Sequence, residues 1–318
     1  MSLLVFNSAN SIAQGVIRRL YRSGAYERIV CADIYPNYYA IQRFLNFKGE
    51  LKNENSNTKI TDIKISERSE LINAVQSASH VVYITHDYYS LVPSKLNLIK
   101  TVAELAKKHK NVQRLVALTP IEHDHYEETN PVEAARTSEK EAAQIYPNLV
   151  TLKSDITFGP NSTLSDYWIT SLLNGYRLSS FKESGLTTQP IHSDNVAEIV
   201  ENSLKDDSRQ GKAYYLQGKE SVTPDEYITA LEDFTGRKRN ESGSDIISQI
   251  KRSITVEDVF KHYKAQPRGE LEGIESFGLS LNSFKSAYPQ NGLQPSTFAS
   301  RLDENESYVE RKIQQFLY

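Results

Sequence analysis

Several residue types are scarce in this chain of 318 residues, and each scarcity excludes a class of protein. The only cysteine is Cys31, which excludes a disulfide framework within the chain and a cysteine-rich zinc site. No apolar run approaches the roughly 18 residues that a membrane-spanning helix needs. The 37 basic residues are matched by 40 acidic ones, so the charge gives no sign of a nucleic-acid binder.

The chain does contain enough apolar residues for a sizeable core. Hydrophobic residues make up 39% of it, with 19 Tyr and 11 Phe, which argues against wholesale disorder. The length is typical of one large domain or two modest ones. Because a strand pattern already begins at Leu3, we expect neither a cleavable signal sequence nor an Arg-rich transit peptide before it.

In the first half, short apolar runs alternate with amphipathic stretches. Strands that alternate with helices of about 10–15 residues indicate βαβ units, and hence a parallel, doubly wound sheet. The predicted strands are Leu3–Phe6, Arg28–Ala32, Thr58–Ile65, His80–Thr85, Val112–Leu118 and Leu149–Leu152, and the predicted helices are Ile12–Ser23, Glu67–Gln76, Pro93–His109 and Thr137–Ile145.

The second half of the chain has a different pattern of predicted elements. We predict helices at Asn195–Leu204 and Pro224–Phe234 and a strand at Lys212–Leu216. The chain is therefore divided into a Rossmann-like α/β domain at 1–160, a smaller α+β portion at 161–240 and a polar tail at 241–318. The spacing of Phe298, Leu302, Val309, Ile313 and Phe316 predicts a terminal helix that needs a partner to pack against.

Three stretches in the expected order resemble the short-chain dehydrogenase superfamily. Val112–Thr119 (VQRLVALT) is similar to its fifth strand, which ends in Ser or Thr. Pro190–Ala197 (PIHSDNVA) resembles its P-x-H-x-D-D-V-A segment, which begins a helix. Gly211–Gly218, followed by Val222 and Thr223, is similar to the strand and helix entry that come next. The resemblance implies the same α/β fold.

The turn after the first strand carries a modified form of the superfamily's glycine motif. Asn7, Asn10 and Ala13 match positions at which extended and atypical relatives have glycines. Asn tolerates positive φ and Ala permits close packing, so we expect the backbone path to survive. Two Asn side chains crowd the place of a diphosphate, so the turn is either structural, with binding weakened or lost, or binds a phosphate through the Asn side chains.

Two acidic residues each have two interpretations. Asp33 ends the second predicted strand, where a carboxylate would accept a hydrogen bond from an adenosine ribose or simply be solvated. The resemblance implies that Asp62, on the third strand, faces the adenine, but it is equally an edge or turn carboxylate. The expected cofactor residues are Asn7, Asn10, Ile12, Ala13, Asp33, Asp62 and Thr119.

Within the superfamily, further motifs resemble the nucleotide-binding accessory subunits of mitochondrial respiratory complex I. Ser138–Lys140, Tyr146–Pro147, Lys153 and Phe158–Gly159 are similar to their G-E-K, F-P and K-P-S-D-I-F-G stretches. Leu271–Leu279 is similar to their L-P-G-L-E-D-L-G-I segment.

The catalytic residues of the superfamily are replaced. Its enzymes use a Tyr, a Lys four residues later and a Ser or Thr, the Lys lowering the pKa of the phenol. Counting back from Ser138, the first two positions fall on Pro131 and Ala135, which neither exchange a proton nor carry a charge. Thr119 alone does not perform the reaction, so we predict no catalytic residue and no enzyme.

Other residues have the spacing or the chemistry of a catalytic or metal site, but each has a simpler interpretation. Tyr215 and Lys219, like Tyr308 and Lys312, have the catalytic spacing but lie off the helix after the fifth strand. Tyr126 precedes Pro131 but would need an activating charge from elsewhere. The His123–Glu128 cluster (HDHYEE) contains metal-ligand types, yet neighbours on an extended loop point in opposite directions. We predict no metal site.

The resemblance implies a non-catalytic accessory subunit of complex I with a structural or assembly role. It would be peripheral to the matrix side of the mitochondrial inner membrane, without a transmembrane segment, and would contact other complex I subunits but no nucleic acid. NADPH or NAD(H) would be a structural ligand. One alternative is an NAD(P)-dependent epimerase or reductase with an atypical proton donor; another is a soluble scaffold or redox sensor with this fold.

Overall fold

A central parallel sheet organises the chain. The computed structural model describes residues 1–34, 38–52, 54, 56–85, 98–120, 131–159, 162, 165, 168–169, 172–173, 187–239 and 274–281. The strands are β1 (Ser2–Phe6), β2 (Arg28–Ile34), β3 (Lys59–Ile65), β4 (His80–Ile84), β5 (Arg114–Pro120), β6 (Val150–Ser154), β7 (Thr157–Phe158), β8 (Ile191–His192) and β9 (Ala213–Leu216). Seven of them form the sheet in the order β3-β2-β1-β4-β5-β6-β9, all parallel, while β7 pairs with β8.

Helices cover both faces of this sheet. They are α1 (Ser11–Ser23), α2 (Tyr38–Leu51), α3 (Arg68–Gln76), α4 (Leu98–His109), α5 (Pro131–Ile145), α6 (Ser193–Lys205) and α7 (Pro224–Thr235). Alternate residues of β1 point to opposite faces, so Leu3 and Val5 enter one core while Leu4 and Phe6 enter the other. The first core packs against α1, α2 and α6, and the second against α3, α4 and α5. The predicted doubly wound α/β fold is confirmed.

The strand order reverses direction between β1 and β4. The chain moves outward from β1 through β2 to β3, then returns to place β4 on the other side of β1. In open α/β sheets, ligands bind in the crevice outside the carboxyl ends of the strands at such a reversal. This position, called the switch point below, is where a functional site is expected.

A short segment from the end of the chain returns to the sheet. Residues 274–281, the returning segment, begin with a 3₁₀ turn and place Phe277 against the ring of Tyr214, with 4.9 Å between centroids. The guanidinium carbon of Arg209 lies 3.8 Å from the Phe277 centroid on another side. Asn195 Nδ2 also donates to Ser280 O at 3.3 Å. The segment is therefore held by α6, by β9 and by the turn between them.

Some elements differ from the sequence expectation. Helix α2 was not predicted, because its Tyr- and Phe-rich sequence has no strong helix preference. Helix α5 begins at Pro131 rather than Thr137, since proline suits the first helical position, where its missing N–H costs nothing. Strand β9, in the predicted 161–240 portion, is the seventh strand of the main sheet. The predicted helix at 298–316 lies outside the described residues, and no helix within them is long and apolar enough to span a membrane.

Candidate functional site

The turn after β1 keeps the backbone shape expected of a glycine. Asn7 has a φ of 56°, in the left-handed region that few residues other than glycine adopt. Its side chain is buried, and its Nδ2 donates to Ile84 O at 2.6 Å. Because Ile84 ends β4, this hydrogen bond joins the two strands at the switch point. Asn7 thus preserves the turn and links it to the end of β4.

Asn10 caps the first turn of α1 with its own side chain. Its Oδ1 accepts from Ile12 N at 2.8 Å and from Ala13 N at 3.4 Å. The side chains of Ile12 and Ala13 are buried in the core, so only their N–H groups face the turn. These N–H groups are the donors that a phosphate at a helix N-terminus would use. The Asn10 carboxamide occupies them in this structure.

Asp33 is bound to the same turn. Ala9 N lies 3.2 Å from each of its carboxylate oxygens, and Ser8 Oγ donates to Oδ2. Asp33 lies near the carboxyl end of β2, level with the position predicted for a ribose contact. The sequence left open a solvated carboxylate or a ribose ligand, and the structure shows a carboxylate that orders the turn beside the switch point.

Asp62 lies apart from these residues. It stands in the middle of the edge strand β3, opposite Cys31, whereas Asp33 is opposite Lys64 nearer the strand end. The side chain of Asp62 is half-exposed and forms an ion pair with Lys48 of α2. The structure therefore places Asp62 two strands away from Asn7, in an ion pair at the edge of the sheet, and its proposed contact with an adenine stays a prediction.

Thr119 joins a buried polar cluster at the end of β5. Its Oγ1 donates to Glu139 Oε2 at 2.7 Å, and Lys153 Nζ lies 3.1 Å from Glu139 Oε1. The exposed fractions of the three residues are 4%, 6% and 6%. Thr119 and Lys153 are register partners on β5 and β6, so their side chains lie on one face of the sheet, where α5 brings Glu139 to them. A hydroxyl, a carboxylate and an ammonium group are thus in direct contact.

Glu139 and Lys153 belong to stretches that carry the family resemblance, but neither was predicted as a site residue. Two signals were available. Glu139 follows Ala135 by four residues, so it shares the helix face on which the superfamily carries its Tyr and Lys. Lys153 lies within a strand that is buried at every position, where a lone charge needs a partner.

A second buried carboxylate follows β6. Asp155 accepts hydrogen bonds from Ile156 N at 2.6 Å, from Gln189 N at 2.9 Å and from the Thr188 hydroxyl. Burial raises the pKa of Asp155, and these hydrogen bonds oppose the rise. The Asp155 carboxylate thus links the carboxyl end of β6 to the segment that leads into β8, which indicates a structural role.

His192, from the P-x-H-x-D-D-V-A motif, has a structural role. Its Nδ1 accepts from Asp194 N at 3.2 Å and so caps α6. The ring packs on Phe158 with 5.1 Å between centroids, and a side chain at Gly159 would collide with it. Burial lowers the pKa of His192, while the charge of Asp194 opposes this shift. The neutral ring acts as a cap.

Several predicted candidates lie outside the described residues. They are the His123–Glu128 cluster with Tyr126, and the Tyr308 and Lys312 pair. Tyr215 and Lys219 lie at and beyond β9, on the far side of β6 from the switch point. Within the described ranges, no group of three or more His, Cys, Asp or Glu residues is placed to hold a metal ion.

The fold is shared with enzymes whose structures were solved with NAD, NADH or a UDP-sugar. The enzyme WbmF of Bordetella bronchiseptica, solved with NADH, superimposes with a TM-score of 0.67 at 12% identity over 99% of this chain and 97% of its own. The UDP-glucose 4-epimerase of Thermotoga maritima, solved with UDP-glucose, gives 0.65 at 14% identity over 95% and 100%. The UDP-glucose 4-epimerase of Thermus thermophilus, solved with NAD, gives 0.63 at 15% over 94% and 99%. No protein-family model matches the sequence, and no curated protein is significantly similar.

These comparisons correct the prediction that the chain is not an enzyme. The similar structures are of enzymes solved with NAD, NADH or a UDP-sugar, and they match nearly the whole chain. Pro131 and Ala135 at the Tyr and Lys positions therefore do not by themselves exclude an enzyme. The same helix carries Glu139 to Thr119, so groups able to exchange a proton are present at the place where the sequence expected none.

The comparisons give no support to the finer resemblance to complex I subunits. The expected subunit partners, the location on the matrix side of the inner membrane and the division into 1–160, 161–240 and 241–318 stay predictions. The chain shares the Rossmann-like α/β fold of these structures.

Proposed function

We propose that this chain binds NAD(H) at the switch point and transfers hydride between that cofactor and a secondary alcohol or carbonyl group of a small substrate. The observation that carries the proposal is the turn after β1, where the left-handed Asn7 and the start of α1 lie beside the Asp33 carboxylate. This arrangement is the one that dinucleotide-binding sheets present to a pyrophosphate and a ribose. The fold shared with NAD-bound enzymes supports it.

The residues present fit NAD(H) after one side-chain movement. Rotation of the Asn10 carboxamide frees the N–H groups of Ile12 and Ala13 for a phosphate. Asp33 would then accept from a ribose hydroxyl, and its charge would repel the additional phosphate of NADP(H). We therefore propose NAD(H) rather than NADP(H). When bound, the nicotinamide supplies hydride transfer, and the protein supplies orientation and the proton.

The substrate class follows from the similar enzymes. Structures that share the fold contain UDP-glucose or UDP-glucuronic acid together with NAD. We propose a nucleotide sugar as the substrate, with an atypical proton donor in place of the missing Tyr. Thr119 is the hydroxyl that remains at the end of β5.

Two measurements test this function. Calorimetric titration of the full chain with NADH and with NADPH should show binding of NADH and weaker binding of NADPH, a preference that Asp33→Asn should reduce. Incubation with NAD⁺ and either UDP-glucose or UDP-glucuronic acid should give transient bound NADH by absorbance and a new epimer by NMR. Absence of NADH binding would refute the proposed cofactor, and binding without conversion of either sugar nucleotide would refute the proposed substrate class.

A further inference from the structure

Buried ion pairs are costly, which makes the pair of Glu139 and Lys153 informative. Moving two charges out of water commonly costs more free energy than their attraction regains. A buried ion pair is therefore weak evidence that the two residues serve only to stabilise the fold. Here the carboxylate has a second contact, because Glu139 Oε1 faces Lys153 while Oε2 accepts from Thr119. The two oxygens thus have different partners, one permanently charged and one able to pass a proton.

The location of the cluster also points to chemistry. Thr119 is the penultimate residue of β5, the strand next to β4, and β4 borders the switch point. Helix α5 carries the positions Pro131, Ala135 and Glu139 at intervals of four residues, so all three share one face. Glu139 is therefore one turn further along the face that bears the missing catalytic pair. Of the three positions on this face, only Glu139 carries an ionisable side chain.

We propose that Thr119, Glu139 and Lys153 form the proton relay of the oxidoreductase. This inference rests on the proposed function. Thr119 is the catalytic residue that touches the substrate hydroxyl, Glu139 stores the proton, and Lys153 is a positioning residue that holds the carboxylate in place. The contact distances of 2.7 and 3.1 Å already connect the three groups without rearrangement.

The proton balance of the relay is complete. When a substrate alcohol is oxidised, its C–H bond breaks and the hydride leaves to the cofactor, while its O–H bond breaks and the C=O bond forms. The released proton goes to Thr119 Oγ1 as the proton already on Thr119 passes to Glu139 Oε2. Glu139 becomes a neutral carboxylic acid and Lys153 stays protonated. Reduction of a carbonyl group runs the same transfers in reverse.

The relay explains how a threonine replaces a tyrosine. An isolated Thr hydroxyl is a poor base near neutral pH, but a hydroxyl that gives its proton to a carboxylate as it takes another never has to become an anion. General acid–base groups of this kind contribute about 10²–10⁴-fold to a rate. Lys153 keeps the carboxylate oriented toward Oγ1 throughout.

Single and paired substitutions separate the relay from a structural role. Thr119→Val removes the hydroxyl without disturbing the ion pair and should lower kcat about 100-fold, while Thr119→Ser should stay within about tenfold of the native rate. Glu139→Gln should lower kcat as much as Thr119→Val, and the two together should go no further, because relay members act as a unit. NADH affinity should be unchanged in all of them.

Loss of folding is controlled in two ways. Glu139→Gln removes the carboxylate that faces the buried Lys153, so Glu139→Gln combined with Lys153→Met removes both members of the ion pair. This double variant should fold and bind NADH yet remain about 100-fold slower. Glu201→Gln is the matched control, because Glu201 is an equally buried carboxylate paired with Arg19 and Lys205. It should keep the native rate.

A spectroscopic readout follows the proton itself. Infrared difference spectra recorded as the protein oxidises UDP-glucose with NAD⁺ should show a protonated carboxyl band that shifts in D₂O and is missing in Glu139→Gln. If the native protein binds NADH and converts substrate but the double variant is equally fast, or the band persists without Glu139, the relay alone is wrong. If the native protein binds no NADH, the proposed function and the relay both fail. If it binds NADH without converting a sugar nucleotide, the proposed substrate class is refuted and the relay that rests on it fails as well.

Discussion

The amino edge of the central sheet, where its parallel strands begin, and the carboxyl edge, where they end, carry polar groups of different character. At the amino edge, Tyr26 Oη and His80 Nδ1 lie 2.7 Å apart, and Arg114 forms an ion pair with Asp207. At the carboxyl edge, acceptors predominate, with the Asn10 oxygen and the Asp33 carboxylate both bound to backbone N–H groups.

Helix polarity accounts for the difference. In a parallel α/β sheet, helices begin at the carboxyl edge and end at the amino edge, so the partial positive charge of each helix faces the former. Helix α4 ends with Lys107, Lys108 and His109, which complement the opposite pole. The comparison teaches that contacts at the amino edge complete the fold, whereas acceptors at the carboxyl edge occupy donors that a ligand's oxygens would also use.

The largest expected effect comes from the carboxyl edge. Asp155→Ala leaves the N–H groups of Ile156 and Gln189 and the hydroxyl of Thr188 without their acceptor in a buried site. Because each such group costs about 1–3 kcal/mol, we expect the free energy of unfolding to fall by about 4 kcal/mol in urea denaturation. Asp155→Asn keeps one acceptor oxygen and should cost less than about 1.5 kcal/mol. Equal losses in the two variants would contradict this account.

A smaller loss is expected at the amino edge. Tyr26→Phe removes the hydroxyl bound to His80 and should lower the free energy of unfolding by about 1–2 kcal/mol. Tyr146→Phe loses a less buried hydrogen bond to Val112 O and should cost under about 1 kcal/mol. Thermal denaturation of both variants measures the difference. If Tyr26→Phe cost as much as Asp155→Ala, the contrast between the edges would disappear.

The Asn10 cap should cost little stability but limit nucleotide affinity. Asn10→Gly exposes the N–H groups of Ile12 and Ala13 and should strengthen NADH binding about tenfold, since hydrogen bonds to charged groups are worth about 1.5–3 kcal/mol. The accompanying loss of stability should be a few tenths of a kcal/mol, roughly that of an Asn cap replaced by Gly. Asn10→Ser retains a capping oxygen and should show no such gain in calorimetric titration. Unchanged affinity in Asn10→Gly would show that the carboxamide does not compete with the nucleotide.

The smallest effect is a dependence of stability on pH. Burial lowers the pKa of His80, helped by nearby Arg114, and burial also lowers that of His192, both below the ordinary 6.5. The unfolded chain therefore binds more protons than the native one, so the free energy of unfolding should decrease as the pH falls below about 6.5. Urea midpoints between about pH 7.5 and pH 5 measure this slope. His80→Gln should reduce this slope. A slope unaffected by His80→Gln would refute the assignment.

Much of the fold was predictable because it depends on local patterns. Apolar runs such as His80–Ile84 identify buried strands, and the alternation with amphipathic stretches such as Ser11–Ser23 identifies the helices between them. Asn10 precedes such a helix, so its capping role is readable from the sequence. The contact between Glu139 and Lys153 is not, because it depends on the register that places Thr119 opposite Lys153 and on how α5 packs over both strands.

The returning segment has a consequence for the order of folding. The contacts of Arg209 with Ser276 and of Asn195 with Ser280 join residues 67 and 85 positions apart. Closing loops of this length costs chain entropy before any contact forms, so these contacts are expected late, after β9 and α6 are in place. Until then the ring of Tyr214 has no cover from Phe277. During synthesis, the Tyr214 ring therefore stays without its contact to Phe277 until residues 274–281 have been made and have docked, and an exposed aromatic surface at that stage favours aggregation.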